Sequence, residues 1–314
     1  MPLWTLQPIY QERIWGGRAL ETKLGRSLPT SAAYGESWEL CDRPEAQSVF
    51  RETGHALHDA WVGPNKATIF GTAAPASERF PILIKILDAA DKLSLQVHPP
   101  ASLAPKFGGE PKTECWFFMD AEKDAEIYVG LKQGVTRERF RQAISEKTVS
   151  ECVHRLKTAR GDFMFLPSGR VHAIGAGNLI LEVQQNSDTT FRVYDWDRID
   201  AKTGKPRELH VEESLESINF HDFEPVMAQP HGQCLLRCDF FHLYRHFLFD
   251  REHLDLNPDR RTFQFIAVTA GSISVSGREF RKGDTFFVTA DSDPFEIVGG
   301  TEEAEIVITT FPVD

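Results

Sequence analysis

Four polar residues carried on three apolar stretches hold the chemistry legible in this chain. Gln96 and His98 alternate with Leu95 and Val97 in LSLQVHP, Glu114 lies in KTECWFF, and His172 follows the turn Pro167-Ser168-Gly169. Alternate side chains of a strand share a face. Ser94, Gln96 and His98 therefore point one way, and Leu93, Leu95 and Val97 the other. A polar face on an otherwise apolar strand must meet water, a ligand or a metal, because burying it unpaired costs free energy. Two imidazoles, a carboxylate and an amide oxygen make a donor set suited to zinc, with room for a water or a substrate. Two histidines plus a carboxylate also hold ferrous iron, so ligand type leaves iron open. The alternative is a set of buried polar groups that only hydrogen-bond one another.

The elements that must position these residues are short strands. Phe163–Leu166 is an apolar run ended by Pro-Ser-Gly, a tight-turn sequence that delivers His172 to the start of the next strand. Further strands are expected at Glu36–Leu40, Phe80–Leu87, Lys112–Phe118, Ala125–Leu131, Leu179–Gln184 and Phe191–Tyr194. Phe80–Leu87 and LSLQVH read as a hairpin through Ala89–Lys92. Helices are expected at His55–Trp61, Thr136–Ile144 with Thr136 as N-cap, Thr148–Leu156 and Val211–Ile218. Arg13-Ile14-Trp15-Gly16-Gly17 reads as a tight turn beside an exposed Trp. It is either a loop on a barrel rim or a wall of the site formed by Trp15, Gly16 and Gly17, since paired glycines allow close backbone approach.

Near 222–232 two prolines mark a linker, and seven short strands are expected beyond it. Gly277-Arg-Glu-Phe-Arg-Lys-Gly283-Asp-Thr-Phe-Phe-Val288 echoes Gly161-Asp-Phe-Met-Phe-Leu166 without the histidine-bearing turn. It is taken as an internal repeat that kept the fold and lost the ligands. The expected class is mainly β: jelly-roll barrels with a few short helices, residues 1–225 forming a metal-binding unit and 226–314 a degenerate second one.

Composition narrows the function. The chain has 314 residues and a net charge of −11, from 35 Lys+Arg against 46 Asp+Glu. An acidic chain without basic clusters is a poor partner for nucleic acid or an anionic membrane, although a few local cations suffice for a phosphorylated small molecule. No apolar run approaches membrane-spanning length, the start lacks a signal-peptide pattern, and the five cysteines are scattered. A reducing, cytoplasmic setting is expected. Cys234 and Cys238 are expected on one strand face, as small buried apolar residues rather than metal ligands.

The spacing G-x5-P-x-G-x2-H from Gly161 to His172 resembles the second signature of the cupin barrels. QVHP at 96–99, KTECW at 112–116, PSGRVHAIG at 167–175 and LEVQQNSDTTFRVYD at 181–195 together resemble the type I mannose-6-phosphate isomerases, in their short bacterial form. The resemblance runs from about Leu3 to the end and is densest between Leu93 and Arg198. It implies one zinc ion held by Gln96, His98, Glu114 and His172. It also implies catalytic importance for Arg192, with Lys112 and Asp188 in the substrate site. Metal-binding cupins usually carry His-x-His on the first strand, where this chain has the weaker donor Gln96. Thr113 stands where longer members of the family carry proline.

The implied reaction interconverts mannose 6-phosphate and fructose 6-phosphate through an enediol(ate). Zinc would act as Lewis acid and template, and Arg192 as a permanently charged donor to the oxyanion. Asp188 would orient Arg192 or shuttle protons if the loop between them turns back. Glu182 shares a strand face with Gln184 and is a candidate base. Lys112 is another if burial lowers its pKa, and otherwise positions the substrate or binds phosphate. Competing functions are a ferrous cupin dioxygenase, disfavoured by Gln96 and the cations Lys112 and Arg192, and a non-catalytic sugar-phosphate-binding cupin. No pattern in the sequence encodes an oligomeric state.

Overall fold

Strands with apolar residues at every second position need cover on that face, and here two barrels supply it to one another. The structure is a computed structural model that describes residues 3–313. It is mainly β, with short helices between strands. The first barrel has a six-stranded sheet in the order Phe163–Leu166, Glu114–Ala121, Asn178–Gln185, Ile82–Ala89, Tyr34–Leu40, Ile9–Gly17. A five-stranded sheet faces it, in the order Val153–Lys157, Glu126–Leu131, His172–Ile174, Leu95–Val97, Phe191–Tyr194.

The second barrel repeats this plan. Its large sheet runs Thr285–Val288, Gln264–Ala270, Ala304–Thr310, His242–Leu248, Cys234–Arg237, with Leu3–Trp4 added beside Thr285–Val288. Its smaller sheet runs His253–Leu256, Phe295–Gly299, Ser272–Val275, Arg278–Arg281. The echoed segments correspond in register: Leu166, five residues after Gly161, pairs with Glu114, and Val288, five residues after Gly283, pairs with Gln264.

The strand Ile82–Ala89 shows why the barrels stack. Ile82, Ile84 and Ile86 join Cys115, Phe117, Leu181 and Val183 in a core shared with Phe265, Ala267, Phe287 and Val307 of the second barrel. The intervening Lys85 and Leu87 look into the first barrel, so the strand is buried on both faces. Phe263 anchors the junction, stacked on Phe287 at 5.1 Å and in contact with Phe80 at 5.4 Å and Phe311 at 4.7 Å. Each such buried ring contributes on the order of 1.5–3 kcal/mol through area removed from water.

Three local expectations are corrected. Phe80–Leu87 and LSLQVH do not form a hairpin: Ile82–Ala89 lies in the six-stranded sheet and Leu95–Val97 in the five-stranded one. The chain crosses between sheets after Asp91, and Leu93 N–H bonds to the Ile174 carbonyl. Thr148–Leu156 is not one helix but a 3-10 turn, Val149–Cys152, and a strand, Val153–Lys157, which completes a sheet edge by pairing with Glu126–Leu131. Arg13–Gly17 is not a turn with an exposed Trp. It ends the strand Ile9–Gly17, which pairs irregularly with Tyr34–Leu40, and Trp15 is only 4% exposed. The Thr136 cap is present, its hydroxyl accepting from Arg139 N–H. All five cysteines are free, and the Cys234 strand stops at Arg237, before Cys238. Among the described residues, no helix is long and apolar enough to cross a membrane.

Candidate active site and metal centre

Backbone register fixes the site before any side chain is considered. His172 pairs with Gln96 on one side of the short central strand, and Arg192 pairs with Gln96 on the other. Gly169, at φ 94° in the turn before His172, donates its N–H to the His98 carbonyl, which ties the two histidine segments together. Only glycine takes that left-handed conformation without strain.

The imidazoles are held in defined tautomers. His98 Nδ1 lies 2.8 Å from the Thr189 carbonyl and His172 Nδ1 2.9 Å from the Arg170 carbonyl. A carbonyl only accepts, so each Nδ1 carries the proton and each Nε2 presents its lone pair. Both lone pairs face Glu114: His172 Nε2 is 3.3 Å from Oε1 and His98 Nε2 is 3.6 Å from Oε2. Gln96 Nε2 is 3.3 Å from His172 Nε2, and an amide flip places the oxygen there instead. Donors around a tetrahedral zinc at ~2.0–2.1 Å are about 3.3 Å apart; the two imidazole–carboxylate spacings are near this, and the donor atoms of all three residues lie within 4.8 Å of one another.

Electrostatics agree with that fit. Burial lowers the pKa of His98 and pushes that of His172 down to about 3, so both rings stay neutral, as metal ligands must. Burial alone would raise the Glu114 carboxyl, but Lys112, His98 and His172 hold it well below the usual range. Neither buried Glu114 oxygen has a well-formed hydrogen bond, although Lys112 Nζ stands 2.8 Å from Oε2. Lys112 Nζ also lies 3.3 Å from His98 Nε2, so it serves the Oε2 side, whereas Oε1 faces only the His172 Nε2 lone pair, an arrangement that favours a cation between them.

Beside this cluster opens a cavity of about 460 Å³, lined by Gln96, Lys112, Glu182, Asp188 and Arg192 among others. Glu182 accepts from Trp116 Nε1 at 2.9 Å and faces Lys85 Nζ at 3.5 Å. Burial raises its pKa, Lys112 opposing and Glu114 reinforcing the shift. For Lys112 burial works downward, but Glu114, Glu182 and Asp188 outweigh it and raise the pKa above the ordinary lysine value. The condition under which Lys112 could act as a base, a pKa lowered by burial, is not met.

Arg192 is not oriented by Asp188. Its Nη1 donates to the Glu208 carbonyl at 2.7 Å, and among the described residues no hydrogen bond joins it to Asp188. Its Nε is buried without a partner. Trp15 lines the cavity, whereas Gly16 and Gly17 do not. A Cβ on Gly16 would lie 2.3 Å from Gly35 N, so that glycine serves close strand packing. A larger, open depression of about 940 Å³ beside Tyr10, Tyr34 and Arg51 holds none of the clustered groups.

Sequence reasoning missed Arg13, Glu36, Lys85 and Arg207, which also line the cavity. Lys85 had a signal: a lysine inside the apolar run FPILIKIL is anomalous unless a partner awaits it. Arg207, two hydrogen bonds from Asp195 at 2.8 and 2.5 Å, comes from a charged loop whose approach no periodicity announces.

Comparison with known proteins agrees with the geometry. Residues 3–143 match the model of the phosphomannose isomerase type I catalytic domain. The chain is 37% identical over 312 residues to the mannose-6-phosphate isomerase ManA of Bacillus subtilis, covering 94% of this chain and 96% of that protein. It is 39% identical over 229 residues to the mannose-6-phosphate isomerase of Streptococcus mutans, covering 72% and 70%. The solved mannose 6-phosphate isomerase of B. subtilis superposes with a TM-score of 0.82 at 28% identity, over 98% of this chain and 99% of that one. With likeness of that degree over nearly its whole length, the chain belongs to the type I mannose-6-phosphate isomerases, cupin-fold enzymes that act on a sugar phosphate.

Proposed function

We propose that the chain is a zinc-dependent, cytoplasmic isomerase that interconverts mannose 6-phosphate and fructose 6-phosphate through a cis-enediol(ate), with one metal ion per chain. The observation that carries this reading is the convergence of two Nε2 atoms on one buried carboxylate, paired on one side with Lys112, beside a cavity that also holds a second buried carboxyl and a guanidinium. His98, Glu114 and His172 would hold the ion, with Gln96 as a neutral fourth donor. When bound, zinc supplies Lewis-acid polarisation of the sugar carbonyl.

The remaining work falls to the chain's own groups. Glu182, its carboxyl raised by burial, is suited to take the proton from C2 and return it to C1 on the same face. Arg192 aims a permanent charge at the oxygen where negative charge develops. Lys112, kept charged by Glu114 and Glu182, positions the substrate rather than acting as base. Asp188 borders the cavity near Lys112 and bears on its charge. Arg13, Lys85, Lys112, Arg192 and Arg207 line the cavity against the carboxylates Glu36, Glu182 and Asp188, a local positive balance that suits a phosphorylated sugar, while the acidic whole argues against a nucleic-acid or membrane partner. The five free cysteines agree with a reducing compartment.

The proton-transfer route is tested by running the reaction in D2O and following C1 and C2 by NMR. Deuterium entering the sugar in step with turnover is the expected result. Complete retention of the original hydrogen through many turnovers would rule out an enediol(ate) whose base exchanges with solvent.

A further inference from the structure

The second barrel keeps a cavity at the place where the first has its site. Strand register assigns the correspondence. In the first barrel Lys85 pairs with Glu182, and Leu166 pairs with Glu114. In the second, Tyr244 pairs with Ile308, and Val288 pairs with Gln264. Tyr244 thus stands for Lys85, Ile308 for Glu182, and Gln264 for Glu114. Thr262 precedes Gln264 by two residues, as Lys112 precedes Glu114. All four second-barrel residues line one cavity of about 200 Å³, together with His246 and Thr310.

The lining has changed in kind. The four ionisable groups of the first barrel are replaced by a phenol, a hydroxyl, an amide and an alkyl side chain. No lysine or arginine is among the described residues lining the cavity. Asp259 at its rim is held by Arg261 at 2.6 Å. Burial lowers the pKa of His246, which keeps that imidazole neutral. Such a lining gives a phosphate no cation to pair with, and its carboxylate, Asp259, is already engaged by Arg261. It does offer neutral donors and acceptors beside an aromatic ring, the combination that recognises hydroxyl groups on a carbon frame.

One atom indicates that the cavity is more than a packing defect. Gln264 Oε1 is buried without a hydrogen-bond partner. Buried acceptors are nearly always paired, so this one is poised to accept from an occupant. Thr310 Oγ1 already donates to the Phe311 carbonyl at 2.9 Å, and so presents its lone pairs. The volume equals roughly seven waters at ~30 Å³ each, enough for a small polyol or one compact sugar.

We propose that this cavity is a second ligand site, for a small uncharged polyhydroxy compound no larger than a single unphosphorylated sugar. The repeat exchanged its charges and kept its mouth. The inference does not depend on the isomerase reading, because no group of the first barrel takes part.

The test titrates the full-length protein with D-mannose, followed by saturation-transfer NMR, and repeats it with the variants Gln264→Leu and Val313→Trp. The first removes the waiting acceptor, and the second plugs the cavity at Val313. Removing an unpaired buried acceptor is not expected to lower the melting temperature. Saturable binding to the unaltered protein, weakened at least tenfold by each variant, is the expected result. Binding through the first barrel would be indifferent to both substitutions. No saturable binding, or binding that both variants leave unchanged, overturns the proposal. Should Gln264→Leu fail to fold, Val313→Trp decides by the same criterion.

Discussion

The two barrels share a plan and differ in what their inner faces carry. Five strands of each large sheet follow the same order, with the same register against the Gly-Asp pairs at 161 and 283, and the sixth strand is added at opposite edges. Their outer faces are alike too, apolar and buried against one another in one core. The inner faces diverge: Lys85, Lys112, Glu114 and Glu182 in the first, Tyr244, Thr262, Gln264 and Ile308 in the second. Turns and outward residues therefore build the barrel, and a handful of inward positions decide whether it does chemistry. Because the first barrel's sheet is covered by the second, its inner face can hold buried charge without that sheet also facing water.

The largest expected effect concerns what the barrels share. Phe263→Ala removes a ring packed on both sides of the junction and should cost about 3–5 kcal/mol in urea unfolding. A cost below about 1 kcal/mol would mean that the outer faces do not support each other. Next comes a group that only the first barrel has. Arg192→Ala should leave bound metal intact and lower turnover about 10²–10³-fold, or about 2.7–4 kcal/mol. A near-normal rate removes Arg192 from the mechanism.

Two substitutions then act on equivalent positions. Ile308→Glu puts the carboxyl of Glu182 into the second barrel, where Tyr244 replaces the partner lysine. Even protonated, that buried carboxyl should cost about 1–3 kcal/mol. If stability is unchanged, the second interior is wetter than its packing indicates. The smallest effect on stability is expected at Glu182 itself. Its carboxyl is raised by burial, so it binds protons more tightly folded than unfolded. Such a group subtracts stability above its unfolded pKa of ~4.3, fully so above the folded value. Glu182→Gln should raise the melting temperature at neutral pH, and the gain should fade as pH falls toward the unfolded value, while turnover is lost. A melting temperature lowered at pH 7 would show Glu182 to be a stabilising partner of Lys85 instead.

Much of this was legible before the fold was known, and the reasons are local. The polar face Gln96/His98, the turn at 167–169 and the repeat at 283–288 are fixed by period-two alternation and by Pro and Gly chemistry, which a sequence displays directly. Glu182 was placed by the same alternation from Gln184. What failed was long-range. Whether Leu95–Val97 paired with Ile82–Ala89 depended on a crossover between sheets that no nearby residue signals. Val153–Lys157 was drawn into a strand by a free sheet edge, against a helical pattern. Arg13 lies two residues before Trp15 on a strand whose inward side was not assigned, Arg207 comes from a loop without periodicity, and the Arg192 contact proved to be the Glu208 carbonyl rather than the carboxylate four residues away.

The claim on which the rest depends is that His98, Glu114 and His172 jointly hold one catalytic ion. Metal analysis of the purified protein, coupled to a mannose 6-phosphate isomerisation assay before and after chelation, tests it most directly. One equivalent of zinc per chain, activity abolished by the chelator and restored by added zinc, is the predicted outcome. Full turnover in protein shown to contain no stoichiometric metal would contradict it.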